Sequence, residues 1–287
     1  MNKTNLSIFC EDGFALAATL YQPKTVKAAV MIAPATGIKQ TFYNSFASFL
    51  ADSGFGVICY DNRGIGKSRK ESINDGNPSL ISWGRQDMSA VLEKLKDHFP
   101  ETTYHLVGHS AGGQLVGLME NAKDLGSMFN FACSSGSIRN MGFSFKLQAH
   151  FFMNAFIPLN NLLFGRTNAH WVGMGEPLPK TVAAQWSQWC NGSGYVAMAF
   201  GKEIDKHAYE EIDIPSLWLH ATDDSIANLA NVKDMIRVFP NLKAEIVTLE
   251  PHKLGFKEIG HMKFFSSKNK KLWNYAVDFL NENLKKG

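Results

Sequence analysis

The pattern of apolar and polar positions changes period along the chain. Residues 5–10 and 14–21 alternate, with Ala15, Ala17 and Thr19 set against larger neighbours. Glu11-Asp12-Gly13 between them predicts an antiparallel hairpin. From Lys27 the run KAAVMIA is almost continuously apolar, which fits a strand covered on both faces. Phe42, Phe46, Phe49 and Leu50 then recur at helical spacing, predicting a helix from about Thr41 to Asp52 that stops at Gly54. The same alternation continues through GVICYD, a helix near Trp83 to His98, the strand TYHLV, the helical run QLVGLME and the strand MFNFACSS at 128–135. Strands alternating with helices predict an α/β fold with a doubly wound, mostly parallel sheet of about eight strands.

Between about Ile138 and Ile212 the alternation stops. That stretch has no clear strand but many aromatics and methionines, and it predicts a helical insertion at 138–212 between two parts of one core, 1–137 and 213–287. Alternation resumes with IPSLWLHA, a helix from about Leu229 to Val238 ended by Pro240, the strand AEIVTLE, a loop to Met262 and a closing helix from about Lys270 to Leu284. The apolar run FFMNAFIPLNNLLF at 151–164 is too short, and too interrupted by Asn and Pro158, to span a membrane. Phe151, Phe152 and Phe156, with Trp186, either pack the insertion onto the core or line a pocket for an acyl group, and the sequence leaves both open.

Composition narrows the class. At 287 residues and 45% hydrophobic content the chain can bury one large core. The net charge is only +3, with the excess Lys mainly in the terminal NKK and LKK runs, suited to the two ends of a surface helix. No basic stripe interleaved with aromatics suggests nucleic acid. Cys10, Cys59, Cys133 and Cys190 are widely spaced, and three of them fall in expected strands, so reduced thiols and a cytoplasmic protein are expected. Glu11 and Asp12 interrupt the place where a signal peptide would be apolar, and no stretch approaches a 20-residue span.

The candidate chemistry centres on Gly108-His109-Ser110-Ala111-Gly112, lying between a strand and a helix. In a strand–turn–helix elbow a serine is held in a strained conformation, and side chains two residues to either side would collide with backbone, so both flanks must be Gly. Ser110 is the nucleophile candidate. A serine needs a base to take its proton and an acid to hold that base. His261 follows the last strand and its loop, whereas the rival His252 lies only two residues past Glu250, and the side chain of His109 should point away from the serine Oγ. Asp224 stands in the turn after SLWLH and is preferred as the acid over Asp223, which fits a residue that shapes the turn. An oxyanion site would pair the N–H of Ala111 with that of Ala35, the first choice, or Thr36; Pro34 has no N–H to give. The GIGKS end of Asp61-Asn62-Arg63-Gly64-Ile65-Gly66-Lys67-Ser68 mimics a phosphate-binding loop, but Asp61 stands where Gly is required and breakers follow Ser68. Asp61 and Arg63 are expected to fix a loop beside the cleft. No HExxH or CxxC pattern suggests a metal.

The elbow, DNRGIGKS, the Asp224 turn and Gly260-His261, in this order, resemble the α/β-hydrolase superfamily over nearly the whole chain. APATG, Tyr43 at a helix start, Trp83 before Asp87, and IGHMKFF look most like a bacterial branch of predicted α/β hydrolases in the serine aminopeptidase and monoacylglycerol lipase-like group. The resemblance implies Ser110 as nucleophile, Asp224 as acid, His261 as base, the N–H of Ala111 in the oxyanion hole, and a lid at 138–212. Two positions depart from the family: Ala33-Pro34 replaces its usual His-Gly, and Ala221 its usual Gly in the acid turn. Ser110 argues against the relatives of this fold that use Asp as nucleophile. The expectation is a cytoplasmic serine hydrolase that cleaves a small-molecule carboxylic ester or related acyl compound through an acyl-enzyme, with no cofactor. A peptidase, thioesterase or acyltransferase on the same residues, or a hydrolase-fold binding protein without catalysis, is the alternative. Natural substrate and oligomeric state are not legible in the sequence.

Overall fold

A computed structural model describes residues 1–284; Lys285 and Lys286 of the terminal LKK run lie outside the described residues. Eight strands form one sheet: β1 Asn2–Phe9, β2 Ala15–Gln22, β3 Ala28–Ala33, β4 Phe55–Tyr60, β5 Tyr104–His109, β6 Leu125–Phe131, β7 Pro215–Ala221 and β8 Lys243–Leu249. Their order is β1-β2-β4-β3-β5-β6-β7-β8, with β1 and β2 antiparallel and every pair from β4 to β8 parallel. Each residue of β3 and β4 is buried, which is why these strands read as continuous apolar runs: helices cover both faces of the central sheet.

The register decides where chemistry can collect. Ala33 pairs with Gly108, His109 with Phe131, and Ala221 with Leu249, so the carboxyl ends of the parallel strands finish along one edge. The loops leaving that edge carry Ala35 and Thr36, Ser110, Asp223 and Asp224, and His261, the position where open parallel sheets bind ligands.

Three elements differ from expectation. β6 ends at Phe131 rather than 135, because Ala132 turns to a left-handed φ of 51°. The helix after the elbow is one turn, Ala111–Gln114, followed by a 3-10 turn at Val116–Leu118; the Gly117 carbonyl accepts from the Ala208 N–H at 2.7 Å instead of continuing the ladder. Of the four cysteines, Cys59 alone lies in a strand, although all four are free and buried. Between β6 and β7 run helices Phe143–Phe151, Ile157–Phe164 and Lys180–Cys190. A widened π turn at Phe152–Phe156 joins the first two, just before Pro158, whose ring opposes a regular helical turn. Against the expectation of no strand, a two-residue antiparallel ribbon pairs Arg166–Thr167 with Leu178–Pro179.

Candidate active site

Ser110 sits at φ 50°, ψ −114°, a backbone conformation that L residues rarely adopt. The flanking glycines make it possible. A Cβ at Gly108 would meet the backbone of Gly113, and one at Gly112 would overlap the carbonyl of Ala33 in β3. Packing this close leaves Ser110 at the end of β5, its own N–H bonded to the Phe131 carbonyl at 3.0 Å.

The Ser110 Oγ lies 3.0 Å from Nε2 of His261, and the other ring nitrogen, Nδ1, lies 2.8 Å from Oδ2 of Asp224. A carboxylate only accepts, so Nδ1 carries the proton and Nε2 is left free to accept from the serine hydroxyl. Asp224 is 3% exposed. Burial works to raise its pKa, but the charge and hydrogen bond of His261 and the N–H groups of Ala227 and Ile226 outweigh it and hold the carboxyl below its ordinary range. Those two N–H groups bond Oδ1 at 2.9 and 2.8 Å, so the side chain cannot turn away.

Asp223 does something other than shape its own turn. Its two oxygens accept the N–H groups of Gly260 and Ile259, each at 2.9 Å, and so hold the loop that presents His261. His252 lies in an exposed 3-10 turn, His252–Leu254, away from the serine.

His109 points away from the serine Oγ into a buried chain of bonds. Its Nε2 lies 3.0 Å from the carbonyl of His261, which can only accept, so Nε2 bears the proton and donates. Nδ1 must then accept from the Tyr43 hydroxyl at 2.9 Å, and the oxygen of that hydroxyl accepts from the Ala35 N–H at 3.0 Å. The ring has to be neutral for this, and burial, with the neighbouring His261, pushes its pKa down to about 3. The chain joins the loop after β3 to the loop of His261. It also engages the N–H of Ala35, the first choice for the second oxyanion donor. Among the described residues no hydrogen bond engages the N–H of Ala111 or of Thr36, the second choice for that donor.

The DNRGIGKS turn supports these loops from behind. The Asp61 carboxylate accepts the N–H of Gln40 at 2.7 Å and of Lys67 at 3.0 Å, and a Cβ at Gly66 would strike it. Arg63 is 1% exposed; its Nε bonds Oδ1 of Asp87 at 2.6 Å and its Nη1 bonds Oδ2 of Asp12 at 2.6 Å. Asp87 is fully buried, and desolvation pushes its pKa up to about 6 against the opposing pull of Arg63. Only a 3-10 turn, Gly66–Ser68, follows, so no helix N-terminus is offered to a phosphate.

Ser110 and His261 open onto a cavity of about 780 Å³. All four aromatic pocket candidates, Phe151, Phe152, Phe156 and Trp186, line it, together with Thr36 and Tyr195. Phe152 stacks on Phe156 with centroids 5.4 Å apart and meets Trp186 edge to face at 5.6 Å. No Asp, Glu, Lys or Arg is among the described lining residues. Tyr195 had no signal in the sequence; its place on the wall depends on a left-handed backbone that the residue type does not advertise. No group of His, Cys, Asp or Glu among the described residues is arranged to hold a metal.

A parallel sheet in this strand order, with a strained serine after β5 and acid and histidine loops after β7 and β8, is the α/β-hydrolase fold. Within it the chain belongs to the serine aminopeptidase S33 family, whose sequence profile matches residues 24–172. A probable lysophospholipase L2 of Haemophilus influenzae is 23% identical over 233 residues, covering 71% of this chain and 70% of that protein. Among solved structures, a thermostable carboxyl esterase of Bacillus coagulans aligns over 98% of this chain and 99% of its own, with a TM-score of 0.65 and 14% identity. An esterase of Pyrococcus furiosus aligns over 98% and 91%, with a TM-score of 0.62 and 15% identity. The chain is thus a member of a hydrolase family with esterase and lipase relatives. No helix among the described residues is long and apolar enough to cross a membrane.

Proposed function

We propose that this protein is a serine hydrolase that cleaves carboxylic esters with an uncharged, largely apolar acyl group. Ser110 is the nucleophile, His261 the base and Asp224 the acid that holds it. As the Ser110 oxygen attacks the acyl carbon, its proton passes to Nε2 of His261, and Asp224 stabilises the imidazolium. The N–H groups of Ala111 and Thr36 receive the oxyanion. Collapse expels the alkoxide, which takes the proton from His261 and leaves an acyl-enzyme. Water, deprotonated by the same histidine, then releases the acid. The four buried thiols suit a reducing compartment, and a cytoplasmic setting belongs to the same proposal.

The observation that carries this reading is the wall of the cavity around Ser110, which is apolar and holds no fixed charge among its described residues. An aminopeptidase must desolvate the α-ammonium of its substrate, which is costly unless a carboxylate receives it. None lines this cavity, so the ester reading is favoured over the peptidase activity in the family's name. The lysophospholipase, esterase and lipase names of the relatives point the same way. The helical segment over the site is proposed to be a lid at 138–212 whose inner aromatics receive the acyl chain.

A screen of p-nitrophenyl esters against aminoacyl p-nitroanilides, run on wild type and Ser110→Ala, tests the proposal. Ester turnover lost in Ser110→Ala, with little anilide turnover in either protein, is expected. Each methylene buried by the lid should add up to about 0.8 kcal/mol, roughly fourfold in kcat/KM, from acetyl through butyryl to hexanoyl. Preference for the anilides would overturn the ester reading, and steady decline from acetyl onward would remove the acyl role of the lid.

A further inference from the structure

The segment between β6 and β7 leaves large apolar side chains in water along two helices, and their spacing collects them. Phe143, Leu147 and Phe151 stand at i, i+4 and i+8 on Phe143–Phe151, one stripe of that helix, each more than half exposed. Leu159, Leu162 and Leu163 stand at i, i+3 and i+4 on Ile157–Phe164, again on one face. Scattered singly, such residues need no explanation, but a contiguous group does. Both stripes lead to the same opening. Leu147 and Phe151 line the cavity of Ser110; from the other helix, Phe164 meets the Trp171 ring edge to face at 5.5 Å, next to Val172, which lines the cavity too.

Fixed charge along this segment has one sign. The chain has 26 Asp and Glu, yet none falls between residues 125 and 175, where Arg139, Lys146 and Arg166 stand. Arg139 and Arg166 are exposed, and among the described residues none of the three cations is held by a carboxylate. The acids at either end of the stretch, Asp124 and Glu176, are already paired, with Lys96 at 2.6 Å and Lys39 at 2.9 Å. The loop that reaches Gly165 through Asn74 carries Arg69 and Lys70 beside Glu71 and Asp75, so it adds no net charge. Free cations beside an apolar face call for a partner that is both apolar and anionic.

We propose that this face docks on an anionic lipid surface and lays the mouth of the Ser110 cavity against it. The two stripes enter the acyl boundary, where contact area matters more than shape, while Arg139, Lys146 and Arg166 meet headgroup phosphates. Trp171, 58% exposed, has the amphipathic ring that settles at such a boundary. The helices lie on the lipid and do not cross it, since none among the described residues is long and apolar enough to span. A second copy of the chain fits less well. An isologous contact sets the same cations against one another, and the stretch has no carboxylate to pair with them. Docking is independent of the ester-hydrolase reading; only the delivery of an acyl chain to Ser110 rests on it.

The test uses the full chain as Ser110→Ala, which keeps the face and spares the lipid from turnover at the serine, sedimented with vesicles of phosphatidylcholine alone or mixed with phosphatidylglycerol. We expect binding at least about tenfold tighter to the mixed vesicles, weakened by added salt. Leu162→Ser combined with Leu163→Ser should weaken it about tenfold or more through lost apolar contact, and Arg139→Gln combined with Arg166→Gln should remove most of the preference for phosphatidylglycerol. Phe9→Ser, on an exposed residue of β1 outside the segment, should change nothing. Melting temperatures should stay level, because all these side chains face water. No binding to either vesicle, equal binding to both, or an equal loss in Phe9→Ser would overturn the assignment. So would a dimer in sedimentation equilibrium that the leucine pair breaks up, since the face would then belong to a second copy. A soluble ester assay alongside keeps the two readings apart: absent vesicle binding with an inactive Ser110→Ala removes the docking face only, whereas intact vesicle binding with an active Ser110→Ala removes the hydrolase reading only.

Discussion

The loops at the carboxyl edge of the sheet and the segment between β6 and β7 each invert the usual placement of their residues, in opposite directions. At the sheet edge, polar side chains are buried and their bonds are closed: Asp224, His109, Asp61 and Arg63 are each no more than 3% exposed and all are hydrogen-bonded. In the intervening segment apolar side chains face outward. Of the fourteen large exposed apolar residues among those described, nine lie between Phe143 and Val172, including Phe143 at 80% and Leu162 at 79%. A reaction centre tolerates errors of only tenths of an ångström, so its atoms are tied by directional bonds. A surface that receives apolar matter of variable shape needs contact area rather than fixed distances.

The hardest test of this contrast is at the sheet edge. Ser110→Ala should reduce ester turnover by about four to six orders of magnitude, and His261→Ala by a similar amount, with melting temperature unchanged. Asp224→Asn should cost about 10³- to 10⁴-fold, because an amide in its place disturbs the tautomer of His261. His252→Ala should leave activity within twofold or so, as expected of a surface substitution away from the site. Residual activity within tenfold of wild type in Ser110→Ala would break the comparison outright.

The buried chain from Ala35 through Tyr43 and His109 to the His261 carbonyl provides the next largest effect. Tyr43→Phe leaves the Ala35 N–H and Nδ1 of His109 without partners, at a cost of about 1–3 kcal/mol for each group in unfolding free energy. Activity should fall by about one to two orders of magnitude if the chain positions His261 and the oxyanion loop together; stability loss with full activity would confine it to packing. The same chain sets an acid sensitivity. His109 has a folded pKa of about 3, below the ordinary 6.5, so the folded state binds fewer protons than the unfolded state between these values. Its stabilising contribution is therefore complete above about pH 6.5 and is lost as pH falls toward 3. Urea unfolding from pH 7 to 4.5 should show stability declining by a few kcal/mol. His109→Gln should decline less steeply over that window. His105, held down to about 4 by burial, acts with the same sign and keeps some slope in both proteins.

Different physical signals made the two regions unequally legible. Buried parallel strands announce themselves as apolar runs, and the elbow because only Gly fits beside Ser110, so fold class and serine follow from composition at fixed spacing. Asp224 and His261 could be narrowed by chain order, and the structure brings both to the serine. What stayed hidden depends on φ angles and on who meets whom across the fold. Ala132 cut β6 short through a backbone state its residue type does not suggest. Asp223, which looks like a local turn residue, acts on Ile259 and Gly260, 36 and 37 positions away. The Ala35 N–H is consumed by Tyr43, a contact eight residues along that no period encodes. In the intervening segment, aromatic content singled out Phe151, Phe152, Phe156 and Trp186, all of which line the cavity, but gave no sign of Tyr195.

A smaller effect is expected where the loop of His261 is held only from outside. Asp223 is exposed, and Asp223→Asn keeps one acceptor oxygen while turning an NH₂ group toward the other N–H. One of the two bonds to Ile259 and Gly260 is thereby lost. Turnover should drop by about three- to tenfold, and Asp223→Ala, which loses both, should drop further. Equal and full activity in both variants would show that His261 is held by Asp224 and the His109 bond alone.

The smallest effect belongs to the outward apolar face, and it sharpens the contrast within a single helix. Leu162 and Leu163 are 79% and 69% exposed at the end of Ile157–Phe164, whereas Ile157 on the same helix is 1% exposed. Stability responds to area removed from water on folding, and these two leucines remove little of theirs. Leu162→Ser and Leu163→Ser should therefore change unfolding free energy by no more than about 0.5 kcal/mol, while Ile157→Ala should cost about 2–5 kcal/mol. Neither leucine lines the cavity, so kcat/KM on short soluble esters should also stay unchanged. Chemical denaturation of the three variants, with butyryl ester kinetics alongside, checks both statements. A loss above 1 kcal/mol in either serine variant would mean that these side chains are covered in solution, and the outward face would then be a packed surface like the rest of the core.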